Sequence, residues 1–325
     1  MPTEKAAKIS LAVILVLLVI ALVAAQLLLN MALKPSALKT FSRNIEATEN
    51  YLAENYPETF AWYDSLKTAG ALQDLYIDSD DGTRLHALLL PAAENSGKTA
   101  VLVHGYTGNA LGMMMIARIY SRQMGYNVLL PDLYAHGLSG GKAIRMGWKD
   151  RFDVLKWMEE AVRIFGEDTQ LVVHGVSMGA ATTMCVAGEV DSRPELLPHV
   201  KCFIEDCGYT SVWDEFRNEM RKRYSLPTFP LLHLSSLLCR IEYGWGFKEA
   251  SPLNQVRKNS LPMMFIHGEA DDFVPTWMVY PLHDACSAPS ELWTLPGVTH
   301  ALAYLEDPLQ YAEKVKEFIS RSIND

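Results

Sequence analysis

Apolar positions change their rhythm along this chain, and each rhythm predicts a different element. From Ile9 to Leu29 they are continuous, interrupted only by Ser10 and Gln26. From Asn44 to Lys67 polar residues alternate with Tyr51, Tyr56, Phe60, Trp62 and Tyr63 in a helix-compatible pattern. Beyond residue 70 the pattern becomes short branched runs separated by helical periods. Leu72–Asp78 and Thr83–Leu90 flank Asp80-Asp81-Gly82 and read as a hairpin. Further strands are predicted at Ala100–Val103, Asn127–Pro131, Gln170–Val173, Lys201–Glu205, Leu261–Ile266 and Glu291–Leu295. Helical patterns separate most of them, notably Trp148–Phe165 and Pro308–Ser322. Such alternation predicts an α/β fold with a mostly parallel eight-stranded sheet and helices on both faces.

The Ile9–Leu29 run is long enough to cross a bilayer and longer than the apolar part of a cleavable leader. The sequence therefore divides into a tail (1–8), a single-pass transmembrane anchor with a signal-like segment as the alternative (9–29), a helical stalk or linker (30–70) and a catalytic domain (71–325). The anchor reads as a unit separate from that domain. Lys5 and Lys8 on one side nearly balance Lys34, Lys39 and Arg43 on the other. The leader-like start points to a domain outside the cytoplasmic membrane. A formal net charge of −9 argues against a nucleic-acid partner.

The chemistry is concentrated where strands end. Leu171-Val172-Val173-His174 leads into Gly175-Val176-Ser177-Met178-Gly179, and a small-residue helix start follows. Strand, G-x-S-x-G, helix is the arrangement of a nucleophile elbow, with the serine on a tight turn. Glycine at 175 and 179 removes the Cβ atoms that would strike the neighbouring strand and helix. Downstream, the strand ending in His267-Gly268 runs into Glu269-Ala270-Asp271-Asp272, and the last strand leads to Gly297-Val298-Thr299-His300. A serine, an aspartate and a histidine thus follow strands whose C-terminal ends share one sheet edge.

With His104-Gly105-Tyr106-Thr107-Gly108 after the third strand, these motifs resemble those of serine α/β hydrolases. The closest resemblance is to small bacterial esterase- and peptidase-like hydrolases with an N-terminal membrane anchor. It covers roughly residues 70–325 and implies the α/β-hydrolase fold. It also implies a triad of Ser177 as nucleophile, His300 as general base and Asp271 as its partner. The His-Gly-x-x-Asp-x-x-Val-Pro pattern selects Asp271; Asp272 next to it and Asp206 after the sixth strand are the rival acids. The oxyanion hole implied is the backbone N–H of Tyr106 and of Met178. One departure is Tyr134-Ala135, where many relatives carry Arg-Gly.

The expected activity is hydrolysis of a small-molecule carboxylic ester through an acyl-enzyme. Amide or peptide cleavage and a non-catalytic binding protein on the same fold are the alternatives. Residues 207–260 exceed what one crossover needs and are rich in aromatics, which suggests a cap lining an acyl or aryl pocket. Arg217, Arg221, Lys222 and Arg223 read as a solvated basic face. The cysteines at 185, 202, 207, 239 and 286 lack metal spacing and read as free thiols. His104, His136, His174 and His267 each precede glycine and are better explained by bonds to loop backbone than by a metal. No G-x-G-x-x-G or P-loop pattern occurs, so no cofactor is expected.

Overall fold

The computed structural model describes residues 2–36 and 41–323, so the flanking Lys39 lies outside the described residues. The first helix, α1 (Pro2–Leu33), takes in the expected tail as well as the apolar run. Its residues from Ile9 to Ile20 are exposed on every side, and from Ala25 onward one face becomes buried. Ala25, Leu29 and Leu33 recur at the four-residue helical spacing and carry that face. The chain then forms α2 (Ile45–Asn55) and α3 (Pro57–Thr68), which pack on the domain. Leu52, Tyr56, Trp62 and Tyr63 join its core, while Glu49 accepts hydrogen bonds from Tyr63 and Lys67 at 2.7 Å.

The sheet and its helices follow in chain order: β1 (Gln73–Asp78), β2 (Arg84–Leu90), β3 (Lys98–Val103), α4 (Met114–Arg118), β4 (Asn127–Pro131) and α5 (Asp150–Phe165). Next come β5 (Gln170–Val176), α6 (Met178–Val190), β6 (Val200–Asp206), α7 (Val212–Lys222), α8 (Leu231–Tyr243) and α9 (Pro252–Val256). The chain closes with β7 (Met263–Gly268), α10 (Val279–Ala285), β8 (Ser290–Leu295), α11 (Ala303–Glu306) and α12 (Pro308–Ser322). The strand order is β1-β2-β4-β3-β5-β6-β7-β8. β2 runs antiparallel to both of its neighbours, and the remaining pairs are parallel.

Strand periodicity explains the two cores. Val101 and Val103 face one side with Leu171 and Val173, whereas Ala100 and Leu102 face the other with Val172. Helices cover both faces, as the alternation of branched runs and helical periods requires. The parallel strands end on a common edge, so the turns after β3, β5, β6, β7 and β8 converge there. The cap rises over this edge between β6 and β7, built from α7, α8 and α9.

Contrary to the expectation of a separate N-terminal unit, α1 packs on the domain. Its last turns pack along α8, the Ser235 hydroxyl donates to Ala25 O at 3.0 Å, and Ile144 N–H donates to Leu33 O at 2.8 Å. Sequence reading missed this docking because a helix apolar on all sides gives no periodic signal to mark its buried face.

Candidate active site

β5 ends at Val176, and the next residue, Ser177, holds φ +58° and ψ −118°, outside the regions open to unstrained L-residues. Such a conformation costs about 1–3 kcal/mol and persists only where its surroundings enforce it. Here they do. A Cβ on Gly175 would lie 2.1 Å from Gly179 O, and one on Gly179 would lie 2.0 Å from Val103 O. The two glycines therefore let β5, α6 and β3 close around the turn, and the Ser177 hydroxyl is left facing the cavity.

His300, five residues beyond β8, places Nε2 at 2.8 Å from Ser177 Oγ. Its Nδ1 lies 2.7 Å from Asp271 Oδ2 in the turn after β7. The other carboxylate oxygen, Oδ1, accepts from Phe273 N–H at 3.0 Å and Val274 N–H at 2.9 Å. With one oxygen tied to backbone, the other is fixed on His300. Burial alone would raise the Asp271 carboxyl, but hydrogen bonding from His267 and His300 outweighs it and holds the group below its ordinary range.

Of the rival acids, Asp272 is exposed. Asp206 is buried, its Oδ2 accepting from the Tyr311 hydroxyl at 2.9 Å, and burial pushes its carboxyl up to about 6. Its backbone oxygen also accepts from Ser177 N–H at 2.7 Å, so Asp206 lies under the turn rather than beside the imidazole's Nδ1.

The loop after β3 comes against the nucleophile turn, since a Cβ on Gly105 would sit 3.2 Å from Ser177 Cβ. Tyr106 and Met178 line the same cavity as Ser177. Met178 opens α6, where first-turn N–H groups lack helical acceptors and the helix dipole favours negative charge. The loop is held from behind by His104, whose Nε2 accepts from Leu133 N–H at 3.0 Å while Nδ1 meets Gly105 O at 2.8 Å. Asp132 braces it further, taking Ala110 N–H at 2.7 Å and pairing with His86 at 2.7 Å.

A family model described as "Alpha/beta hydrolase family" matches residues 100–314, the span that holds Ser177, Asp271, His300 and the loop after β3. The chain belongs to the alpha/beta hydrolase family. Among its relatives, the uncharacterized protein YqkD of Bacillus subtilis is 28% identical over 72% of this chain and 74% of its own length. The uncharacterized membrane protein YNL320W of Saccharomyces cerevisiae is 24% identical over 70% of this chain and 72% of its own. An esterase of Pyrococcus furiosus superposes with a TM-score of 0.63 at 24% identity, covering 80% of this chain and 96% of its own. At that identity the structural likeness shows the fold.

Within this hydrolase, the Tyr134-Ala135 departure is accommodated at a cost. Ala135 takes φ +68°, a conformation that favours glycine. Tyr134 carries the Arg145 guanidinium 3.2 Å from its ring centroid. Of the four histidines that precede glycine, His104, His136 and His267 bond loop backbone. His174 departs from that expectation, lying between the hydroxyls of Tyr120 and Tyr311 at 3.0 Å each. All five cysteines are free; only Cys286 is not fully buried. Cys207 brings its sulfur within 4.8 Å of ligand atoms of Asp271 and His300. Both of those side chains are already bonded to each other, and burial pushes the Cys207 thiol far up, which disfavours a metal-binding thiolate.

Above the serine lies a cavity of about 470 Å³. Four of the eight cap aromatics face it, namely Tyr209, Phe216, Tyr224 and Phe247, while Trp245 packs in the core and Phe229 points to solvent. Two contributions went unseen in the sequence. Leu28, Leu29, Met31 and Ala32 of α1 form one wall, and the Tyr106 hydroxyl donates to Ala32 O at 2.6 Å. Glu215 of α7 is buried at the cavity with neither carboxyl oxygen bonded, and burial drives that carboxyl well above its ordinary range. Its neighbours Glu219 and Arg223 also touch the cavity, Arg223 at the rim with its side chain 57% exposed, so the basic face is solvated as expected and meets the site only at its edge. An alternating-charge helix gives no sign of this, because only the fold decides which i, i+4 row meets the site.

Proposed function

We propose that this hydrolase cleaves carboxylic esters through an acyl-enzyme, with Ser177, His300 and Asp271 as its triad. The observation that carries the reading is the continuous pair of bonds, 2.8 Å from Ser177 Oγ to His300 Nε2 and 2.7 Å from His300 Nδ1 to Asp271 Oδ2. Serine is too weakly acidic to attack unaided, so His300 Nε2 takes its proton as Oγ bonds to the ester carbonyl carbon. The carbonyl oxygen becomes an oxyanion, bound by the N–H groups of Tyr106 and Met178, each worth on the order of 3 kcal/mol. Collapse breaks the bond to the alkoxy oxygen, which leaves as alcohol with the proton from His300. Water then repeats the sequence on the acyl-enzyme and releases a carboxylic acid.

Throughout, Asp271 fixes the imidazole tautomer and stabilises the imidazolium. The apolar lining suits an acyl chain, and the esterase name of a structural neighbour agrees with that choice. The reading also makes Ile9–Leu29 a single-pass anchor in the cell membrane with the catalytic domain on the extracytoplasmic side. The yeast relative, described as a membrane protein, supports the anchor. Protease added to intact cells is expected to degrade the domain; full protection would move it to the cytoplasm.

The test is turnover of p-nitrophenyl esters from acetyl to long acyl chains, beside an aryl amide, by full-length protein in detergent. Esters are expected to give a nitrophenol burst matching the enzyme concentration, followed by slower deacylation. Preference for the amide would replace ester by amide chemistry, and inert behaviour toward every substrate would leave a binding protein.

A further inference from the structure

We propose that the last turns of α1 and the cap helix α8 set the mouth of the active-site cavity into the bilayer, so that the substrate is an acyl ester resident in the membrane. The inference rests on the ester-hydrolase and anchor readings above. Its starting point is that the cavity wall and the anchor are one helix. Leu28, Leu29, Met31 and Ala32 face the same space as Ser177.

Counting along α1 places the membrane. A hydrocarbon core of about 30 Å takes about 20 residues at 1.5 Å each, which from Ile9 reaches Leu28. Docking on the cap has already begun by then, at Ala25 O, which accepts from Ser235 at 3.0 Å. Bilayer and cap thus overlap by about one helical turn. The free face of α1 stays apolar through this overlap and on either side of it, with Val23 55%, Leu27 62% and Met31 48% exposed.

The cap is built for the same depth. α8 runs parallel to α1, because Ser235 meets Ala25 and the Lys34 ammonium lies 5.7 Å over the Tyr243 ring. Its start therefore points toward the membrane. Phe229, just before that start, is 74% exposed, and Leu237, midway along the helix, is 52% exposed. No Asp, Glu, Lys or Arg occurs between Arg223 and Arg240. Charge resumes at Arg240 and Glu242, both exposed, below the level that the count assigns to the hydrocarbon edge. An apolar face continuous with a spanning helix is matched by lipid, and a chain leaving the leaflet along α1 meets the cavity directly.

The experiment uses full-length protein in phosphatidylcholine vesicles. A nitrobenzoxadiazole label at position 237, in a Cys286→Ser background, reads depth without reference to activity. Quenching by acyl-brominated lipid as strong as for a label at position 23 is expected. Emission insensitive to bromine overturns the proposal, as does shielding that vanishes when protein is diluted in the vesicles, which would assign the face to a second copy of the chain.

Kinetics then test the substrate, using Phe229→Asp with Leu237→Asp, residues that do not line the cavity. Turnover of a long-chain ester dissolved in the vesicles should fall about tenfold or more, while a water-soluble short-chain ester changes by less than about twofold. An equal change in both, or in neither, refutes the bilayer route. If the unaltered protein leaves the soluble ester intact, the hydrolase reading itself fails and the substrate assignment falls with it.

Discussion

Replacing Asp271 by asparagine changes one atom yet reverses the direction of a hydrogen bond. Oδ1 of Asp271 faces two N–H donors, from Phe273 at 3.0 Å and Val274 at 2.9 Å. An asparagine must keep its carbonyl oxygen toward them, which turns its amide nitrogen toward His300. His300 Nδ1, now 2.7 Å from a carboxylate oxygen, would then have to accept rather than donate. The ring proton moves to Nε2, and the nitrogen facing Ser177 loses its capacity as a base. Tautomer reversal of this kind costs about 10⁴ in kcat, or about 5.5 kcal/mol of transition-state stabilisation. The assay is kcat for Asp271→Asn and Asp206→Asn side by side on one ester, with circular dichroism to verify folding. Asp206→Asn retains an acceptor for Tyr311 and should stay above the roughly 10²-fold loss typical of an acid–base group. Near-full turnover by Asp271→Asn with collapse of Asp206→Asn would refute the assignment of the acid.

Other consequences are equally open to measurement. Asp150 is buried with Oδ1 unbonded, and burial pushes its carboxyl from 3.8 up to about 7. A raised carboxyl stabilises the fold below its unfolded value and loses that contribution as pH climbs toward 7. The loss is on the order of 4 kcal/mol, so Asp150→Asn should flatten thermal stability between pH 4 and about 7; an unchanged pH profile would contradict this. Gly179→Ala would press a Cβ to within 2.0 Å of Val103 O, so a destabilisation of about 3 kcal/mol or more and loss of turnover are expected in denaturant titration and ester assay. Deleting residues 1–24 in detergent should preserve the fold, because α1 docks from Ala25 onward. Deleting through Leu33 removes two leucines at most 1% exposed and should cost on the order of 5 kcal/mol, read as a lower Tm.

Much of this architecture was readable in the sequence because the relevant signals are local. Strand runs ending at G-x-S-x-G, at His267-Gly268 and before His300 located the sheet edge and the triad candidates, and each strand fell within about three residues of its observed bounds. Ser177, His300 and Asp271 come together where the motifs placed them. What escaped notice depends on contacts between distant segments. Nothing in Ile9–Leu29 distinguishes a free helix from one whose last turns line a cavity, since every side of that helix is apolar. Glu215 escaped for the opposite reason, as one acid among many charges on α7, distinguished only by its burial at the cavity. His86, held between Asp132 at 2.7 Å and Asp74 at 2.9 Å, likewise required the β1–β2 register to be known.

The most direct measurement treats full-length protein and its Ser177→Ala variant, each in detergent, with a fluorophosphonate probe and then with a p-nitrophenyl ester. Mass spectrometry of the labelled peptide should find the adduct on Ser177 alone. The variant should carry none, and its turnover should fall by about 10⁴ or more, to what the oxyanion donors and binding alone support. Equal labelling or equal ester hydrolysis by the two proteins would contradict Ser177 as the nucleophile and end the case for a serine hydrolase.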